Sequence, residues 1–175
     1  MSAHLFADES KARGLVLVAA AVMPRDLAPM RALVDSLRLP RQRRLHFSSE
    51  RDDRRKQIIN RFTAAGVGAV VYDASGWRDA KAARDAAVAR LADDAAKMGA
   101  SLVILERDDS AVEADRRIIR ERLLHAGCHD RVSYDHRRAH EECLLAIPDA
   151  IAWCWAKGGR WRERSERLLR EVVKL

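Results

Sequence analysis

Short apolar runs that end at charged turns dominate the start of the chain. The run over 5–7 stops at an acidic turn that begins with Asp8, and after a polar turn ending in Gly14 a longer apolar run extends over 15–23. Two such runs joined by a short polar turn predict a β-hairpin. Because the second run is apolar at every position, we expect it to be buried on both faces of a sheet.

Helical segments follow the predicted hairpin. Apolar residues at helical spacing predict a helix over 27–37, with Pro29 in its first turn, where a missing N–H is tolerated. The short apolar piece over 45–47 predicts an edge strand. Ser49 is the expected N-cap of a second helix, over 50–65.

Strands and helices alternate through the rest of the chain. The pattern predicts strands over 67–72, 102–105 and 131–134, a helix over 78–98, a helix from a capping box at Ser110 and Glu113 to Gly127, an apolar helix over 141–155 interrupted near Pro148, and a basic helix from Arg160 onward. An antiparallel opening pair followed by this alternation predicts an α/β fold, a mixed sheet with helices on both faces. The length of 175 residues fits a single domain over 1–175.

The charge balance points to polyanionic partners. The chain has 33 Lys and Arg residues against 26 Asp and Glu, a net charge of +7. A positive field raises the rate of encounter with phosphates and favours nucleic acid as a partner, although a charged face is more often only solvated. Two basic clusters and three tryptophans that could stack on bases or belong to the core are candidates: Arg41, Arg43, Arg44, Arg54, Arg55 and Lys56; Arg160, Arg162, Arg164, Arg167 and Arg170; and Trp153, Trp155 and Trp161.

The cysteines and the longest apolar run indicate a cytoplasmic protein. Cys128, Cys143 and Cys154 are an odd number without CxxC pairing, which fits a reducing compartment better than a disulfide framework. The run over 15–23 is too short to cross a bilayer, and the N-terminus lacks the pattern of a signal peptide. We therefore expect a cytoplasmic protein without membrane association.

Three carboxylates lie where an apolar element ends or is interrupted. Asp8 follows the first strand, Glu106 follows the strand over 102–105, and Asp149 lies in the late apolar helix. A lone carboxylate in apolar surroundings is unfavourable unless it is paired, hydrogen-bonded or metal-bound. Carboxylates from separate elements are a usual way to hold divalent cations such as Mg²⁺ for phosphoryl transfer. Each residue also has a simpler explanation, as a cap or as the first polar residue after a strand.

The same positions carry a resemblance to a known family. The opening over 5–10 (LFADES), the stretch over 147–152 (IPDAIA) and the strand ending in Glu106 resemble motifs of a bacterial family catalogued as domain of unknown function 3800. That family is placed in the ribonuclease H-like superfamily, so the resemblance implies a ribonuclease H-like fold and a metal-dependent nuclease. It also implies that Asp8, Glu106 and Asp149 are catalytic and bind Mg²⁺ or Mn²⁺.

Several assignments stay open on the sequence alone. Asp73 also ends a strand and competes with Glu106 for the place beside Asp8. Arg43 and Arg44 lie where many members of the family carry an acid, which supports a second hypothesis, a non-catalytic module that binds nucleic acid or protein. The candidate substrate-binding residues are Glu9, Ser10, His46, Arg43 and Arg44.

The sequence leaves two other chemistries open. His136, His140 and Cys143 are acceptable zinc ligands if they share a helical face, with Cys128 and His129 upstream. A small-molecule phosphohydrolase or a nucleotide-binding protein is the other alternative. Neither a GxGxxG motif nor a GxxxxGK motif followed by Ser or Thr occurs in the chain, so a glycine-rich phosphate loop is absent.

Overall fold

One mixed sheet organises residues 2–175, the part of the chain that this computed structural model describes. Its strands are β1 (His4–Ser10), β2 (Leu15–Val22), β3 (Gly68–Ala74), β4 (Leu102–Glu106), β5 (Ser133–Arg137) and β6 (Leu169–Lys174). They lie in the order β5-β4-β1-β2-β3-β6. β1, β2 and β3 are antiparallel neighbours, β4 and β5 run parallel to β1, and β6 runs parallel to β3.

Helices cover both faces of the sheet. They are α1 (Leu27–Leu37), α2 (Asp52–Ala64), α3 (Ala80–Lys97), α4 (Val112–His125), α5 (Ala146–Lys157) and α6 (Gly159–Ser165). Phe6 of β1 packs into the core shared with α1, α2, α5 and α6, whereas Leu5 and Ala7 pack into the core under α3 and α4. Successive side chains of a strand point to opposite faces, so β1 contributes to both cores. The predicted mixed sheet with helices on both faces is confirmed.

The opening hairpin forms as the sequence predicts. β1 and β2 pair in antiparallel register from His4 with Val22 to Ser10 with Val16. The connecting turn requires Gly14, which has a φ of +84°. A β-carbon at that position would meet the carbonyl oxygen of Ser75 at 2.6 Å, so the turn packs directly against the end of β3.

The segment between α1 and α2, residues 38–51 and called here the α1–α2 segment, is irregular. The edge strand predicted over 45–47 is wrong, because Phe47–Ser49 forms a single 3₁₀ turn. The Phe47 ring is buried against Trp153 of α5, with ring centroids 5.3 Å apart. Phe47 is therefore held by packing against α5 and not by pairing with a neighbouring strand.

The end of the chain also departs from the prediction. The basic helix expected from Arg160 onward ends at Ser165 as α6, and the chain then forms β6 beside β3. Val173 buries its side chain while both of its neighbours are exposed, which is the pattern of an edge strand. Charged residues surround this short pattern, so β6 was not predicted from the sequence.

Several local predictions are wrong in detail. α5 is not interrupted at Pro148, because that residue lies in its first turn, where no N–H is needed. Ser110 does not cap α4, since its N–H and hydroxyl both donate to Asp108. Ser49 does not cap α2, and the strand expected over 131–134 is β5, two residues later at its start.

Two further facts bear on the expected location of the protein. Within residues 2–175, no helix is long and apolar enough to cross a membrane. Cys128, Cys143 and Cys154 are free thiols, and the first and last of them are buried. The cytoplasmic location stays a prediction.

Candidate functional site

Two neighbouring strands bring Asp8 and Glu106 to the same level of the sheet. β1 and β4 pair in parallel as far as Ala7 with Leu105, so Asp8 and Glu106 are the next residues of each strand. Ala7 and Leu105 pack under α3 and α4, and Asp8 and Glu106 therefore point to the opposite face, which α5 covers. The first turn of α5 brings Asp149 close enough for its charge to act on Asp8.

The three carboxylates interact strongly. Burial raises the pKa of Asp8 well above its ordinary value, and the charge of Glu106, a hydrogen bond shared with Glu106 and the charge of Asp149 raise this pKa further. The N–H of Glu9 donates to Asp8 Oδ1 at 2.7 Å and lowers the pKa of Asp8. In the absence of a cation, these surroundings therefore favour the protonated form of Asp8.

The α1–α2 segment supplies the hydrogen-bond donors of this cluster. Arg44 Nη1 donates to Glu106 Oε1 at 3.0 Å. The N–H of Phe47 donates to Asp149 Oδ2 at 2.9 Å, and His46 Nδ1 lies 3.4 Å from the same oxygen. The hydrogen bond with Asp149 raises the pKa of His46, while burial acts against it. The segment thus provides hydrogen-bond donors for Glu106 and Asp149, whereas the donor to Asp8 is the N–H of its neighbour Glu9.

Oxygen donors of this kind suit Mg²⁺ or Mn²⁺. Carboxylates that repel one another are stabilised by a hard divalent cation, which prefers their oxygens as ligands. In their present arrangement, residues 2–175 contain no group of three or more His, Cys, Asp or Glu side chains that could hold a metal ion. The donor chemistry fits the cation, and the ion pair between Arg44 and Glu106 must open before Glu106 can offer both of its oxygens.

Asp73, the rival of Glu106, is committed elsewhere. It lies on β3, two strands away from β1, and pairs with Lys174 of β6. Trp155 Nε1 donates to Asp73 Oδ2 at 3.1 Å, and the N–H of Ser75 donates to Oδ1 at 3.0 Å. Burial alone raises the pKa of Asp73, but these hydrogen bonds outweigh burial and hold the pKa below its ordinary value. Glu106, and not Asp73, lies beside Asp8.

A shallow cavity of about 450 Å³ opens over the acidic cluster. Asp8, Glu9 and Glu106 line it, together with residues of the loop after β4. The Glu9 carboxylate binds Arg84 Nε at 2.7 Å and Lys11 Nζ at 2.8 Å, so its oxygens are already paired. Solvent therefore reaches Asp8 and Glu106 from this side.

The predicted substrate-binding residues separate into two groups. Arg44 and His46 contact the carboxylate cluster directly, and Glu9 lines the cavity above it. The Ser10 hydroxyl accepts only a long hydrogen bond from the N–H of Ala12, at 3.5 Å, and Arg43 is exposed to solvent. Neither Ser10 nor Arg43 is among the residues that line the cavity.

A buried ionic network on the other face of the sheet escaped the sequence analysis. Arg84 of α3 pairs with Asp115 of α4 and with Glu9 of β1. His136 Nε2 lies 2.9 Å from Asp115 Oδ2. Only the polar residues at core-facing positions of α3 and α4, Arg84 and Asp115, could have signalled this network in the sequence.

The zinc alternative loses its geometric basis. His136 lies on β5 and faces Asp115. His140 lies in the turn that follows, and Cys143 begins a 3₁₀ helix. The three residues do not share a helical face, so the prediction that they do is wrong.

The fold has a known counterpart. A chain in the structure of the PCNA:RNase HII complex from Archaeoglobus fulgidus superimposes on this protein with a TM-score of 0.56 and 17% sequence identity, over 93% of this chain and 75% of that one. Together with the strand order, this similarity shows a ribonuclease H-like fold, as the sequence analysis expected. No protein-family model matches the chain, and no curated protein matches it.

Proposed function

We propose that this protein is a divalent-metal-dependent phosphodiester hydrolase of ribonuclease H-like type that acts on nucleic acid. The observation that supports it most is the approach of three carboxylates from separate elements: Asp8 and Glu106 line one cavity, and Asp149 is close enough for its charge to act on Asp8. The net charge of +7 suits a polyanionic substrate. We also propose that the chain belongs to the family known as domain of unknown function 3800 and that the protein is cytoplasmic.

Each side chain has a role in this proposal. Asp8, Glu106 and Asp149 would hold Mg²⁺ or Mn²⁺, which would supply Lewis acidity and a bound water of lowered pKa. Arg44 leaves Glu106 and binds a phosphate oxygen of the substrate, since a guanidinium suits both groups. His46, whose Nε2 lies 2.8 Å from Ser48 Oγ, stays oriented toward Asp149 and keeps that carboxylate in place.

One observation favours a second candidate function, a non-catalytic module that binds nucleic acid. The ion pair between Arg44 and Glu106 satisfies one carboxylate without any metal. A protein that only binds nucleic acid needs no cation at this position. The two candidates differ in a measurable property, the affinity of the acidic cluster for Mn²⁺.

The deciding experiment is a calorimetric Mn²⁺ titration of the wild type, Asp8→Asn and a control, Asp53→Asn. Asp53 is an exposed carboxylate of α2 outside the cluster. We expect wild type and control to bind Mn²⁺ alike and Asp8→Asn to bind at least about ten-fold more weakly, because a ligand is lost. Identical isotherms for wild type and Asp8→Asn would remove Asp8 from the site. Cleavage of labelled RNA and DNA by the same proteins tests catalysis.

A further inference from the structure

A second cleft lies between α2 and α6. It has a volume of about 710 Å³. Its walls are Asn60, Thr63 and Ala64 from α2, and Arg160, Glu163, Arg164 and Arg167 from α6 and the turn after it. The arginines at positions 160, 164 and 167 recur at the spacing of one helical face, so they point into the cleft together.

The cleft carries a surplus of positive charge. Arg164 contacts the neutral Asn60, with Nη1 3.3 Å from Oδ1, and within residues 2–175 Arg167 makes no ion pair. Arg160 pairs with Asp52 at 3.2 Å, but both side chains are largely exposed and this pair is weak. Glu163 is the single acid among the lining residues of the described chain. Anionic groups are therefore the natural ligands of this surface.

The other arginines of the same sequence cluster do not contribute to the cleft. Arg162 lies over the Trp155 ring, 4.2 Å from its centroid, and donates to the Trp155 carbonyl oxygen. Arg170 lies on β6, beside Gly68 of β3. The structure thus selects the three residues at 160, 164 and 167 from the five arginines that the sequence puts together.

A continuous set of contacts joins the cleft to the carboxylate cluster. The Phe47 N–H donates to Asp149, and the Phe47 carbonyl accepts from Arg55 Nε at 3.1 Å. The Arg55 guanidinium lies over the half-buried Trp153 ring, 4.3 Å from its centroid. The Trp153 ring packs edge-on against Trp161 of α6, with centroids 5.5 Å apart. Cationic and aromatic groups therefore follow one another from the acidic cluster to the start of the cleft.

We propose that the α2–α6 cleft binds the phosphate backbone of a single nucleic-acid strand, several nucleotides away from the phosphate that lies at Asp8. This inference rests on the proposed function for the position of the strand. One helical turn separates Arg160 from Arg164, about 6 Å along the axis, which lets successive guanidinium groups meet successive phosphates. A cleft between adjacent helices admits one strand, whereas a duplex would touch only its rims.

The test compares two charge reversals of equal size and spacing. Arg164→Glu with Arg167→Glu alters the cleft, and Arg117→Glu with Arg120→Glu alters exposed arginines of α4 on the opposite face of the sheet. Binding of a labelled single strand of about 16 nucleotides is followed by fluorescence anisotropy in EDTA at several salt concentrations. A duplex of the same sequence is measured in parallel. Circular dichroism checks that each variant is folded.

We expect the cleft variant to bind the single strand about ten-fold or more weakly and the α4 variant to bind like the wild type. The slope of log K against log salt should fall by about 1.4 in the cleft variant, since two phosphate contacts are lost. Equal affinities in the wild type and the cleft variant would overturn the inference. So would a loss confined to the duplex, or a wild type that binds no strand at all.

A second substrate separates this inference from the proposed function. Hydrolysis of bis(p-nitrophenyl) phosphate with Mn²⁺ needs the carboxylates. The substrate itself is too small to reach the cleft. If the proposed function holds, Asp8→Asn removes this activity and the cleft variant keeps it. If the wild type lacks the activity while the cleft variant still loses strand binding, catalysis fails and the cleft assignment survives.

Discussion

At the scale of single residues, the most informative contact is the one between Arg44 and Glu106. Neither side chain is fully buried, and the pair lies at the edge of the cavity over Asp8. Its net stabilisation of the fold is therefore small. Its effect on the proposed metal site is more important, because the Arg44 guanidinium occupies Glu106 Oε1, an oxygen that a bound cation would need.

Replacing Arg44 by Gln should strengthen Mn²⁺ binding. The substitution removes a positive charge and a competitor from Glu106, and we expect about a five-fold gain in affinity, equivalent to about 1 kcal/mol. Isothermal calorimetry of wild type and Arg44→Gln measures it. The matched control is Arg43→Gln, because Arg43 is exposed and does not line the cavity. Unchanged or weaker binding in Arg44→Gln would argue that the guanidinium does not compete with the metal.

At the scale of elements, the parts defined by local patterns were predictable. β1, β2 and α1 follow from apolar runs and helical spacing, and the hairpin from its short polar turn. The α1–α2 segment and β6 were not, because their conformations depend on contacts with distant elements, namely α5 and β3. The candidate site was likewise predictable only as far as local patterns reach. The ends of strands identified Asp8 and Glu106, but the choice between Glu106 and Asp73 needed the strand order.

The turn between β1 and β2 offers a test at this scale. Gly14→Ala should lower the free energy of unfolding by about 3 kcal/mol, because the residue has a positive φ and its new β-carbon would collide with the Ser75 backbone. Chemical denaturation monitored by circular dichroism gives the value. Gly76→Ala, at the solvent-exposed residue that follows Ser75, should be close to neutral. Similar values for the two variants would show that the turn tolerates the contact by moving.

At the scale of the whole molecule, one sheet separates two different polar systems. The acidic cluster and the basic cleft lie on the side of α2, α5 and α6, and the network of Arg84, Asp115 and His136 lies on the side of α3 and α4. Removing one partner of such a buried ion pair strongly destabilises the fold, because the other charge is left buried without a partner. Their contribution also depends on pH, because the carboxylate must stay ionised.

Asp115 should govern part of the acid stability of the fold. Burial raises its pKa, but hydrogen bonds from His136 and Arg84 outweigh burial and hold the pKa below its ordinary value. A lowered folded-state pKa gives stability that is complete above about pH 4 and is lost as the pH falls toward the lowered value. We expect Asp115→Asn to cost about 3 kcal/mol or more at neutral pH and to flatten the stability curve below about pH 4.

Denaturant unfolding of wild type and Asp115→Asn from neutral to acidic pH measures this dependence. Asp53→Asn, which replaces an exposed carboxylate, serves as the control and should follow the wild type. If the variant and the wild type lose stability in parallel on acidification, the acid sensitivity arises from other carboxylates.

The alternation of β1 has a consequence for redesigning the protein. Arg84 fixes the Glu9 side chain from the α3 side, and the N–H of that same Glu9 donates to Asp8 on the other side. Asp115 in turn fixes Arg84. Substitutions in the interface between α3 and α4, remote from solvent and from any substrate, can therefore adjust the orientation of Asp8 by small amounts. A library that aims to tune the proposed metal affinity through the position of Asp8 should be built there.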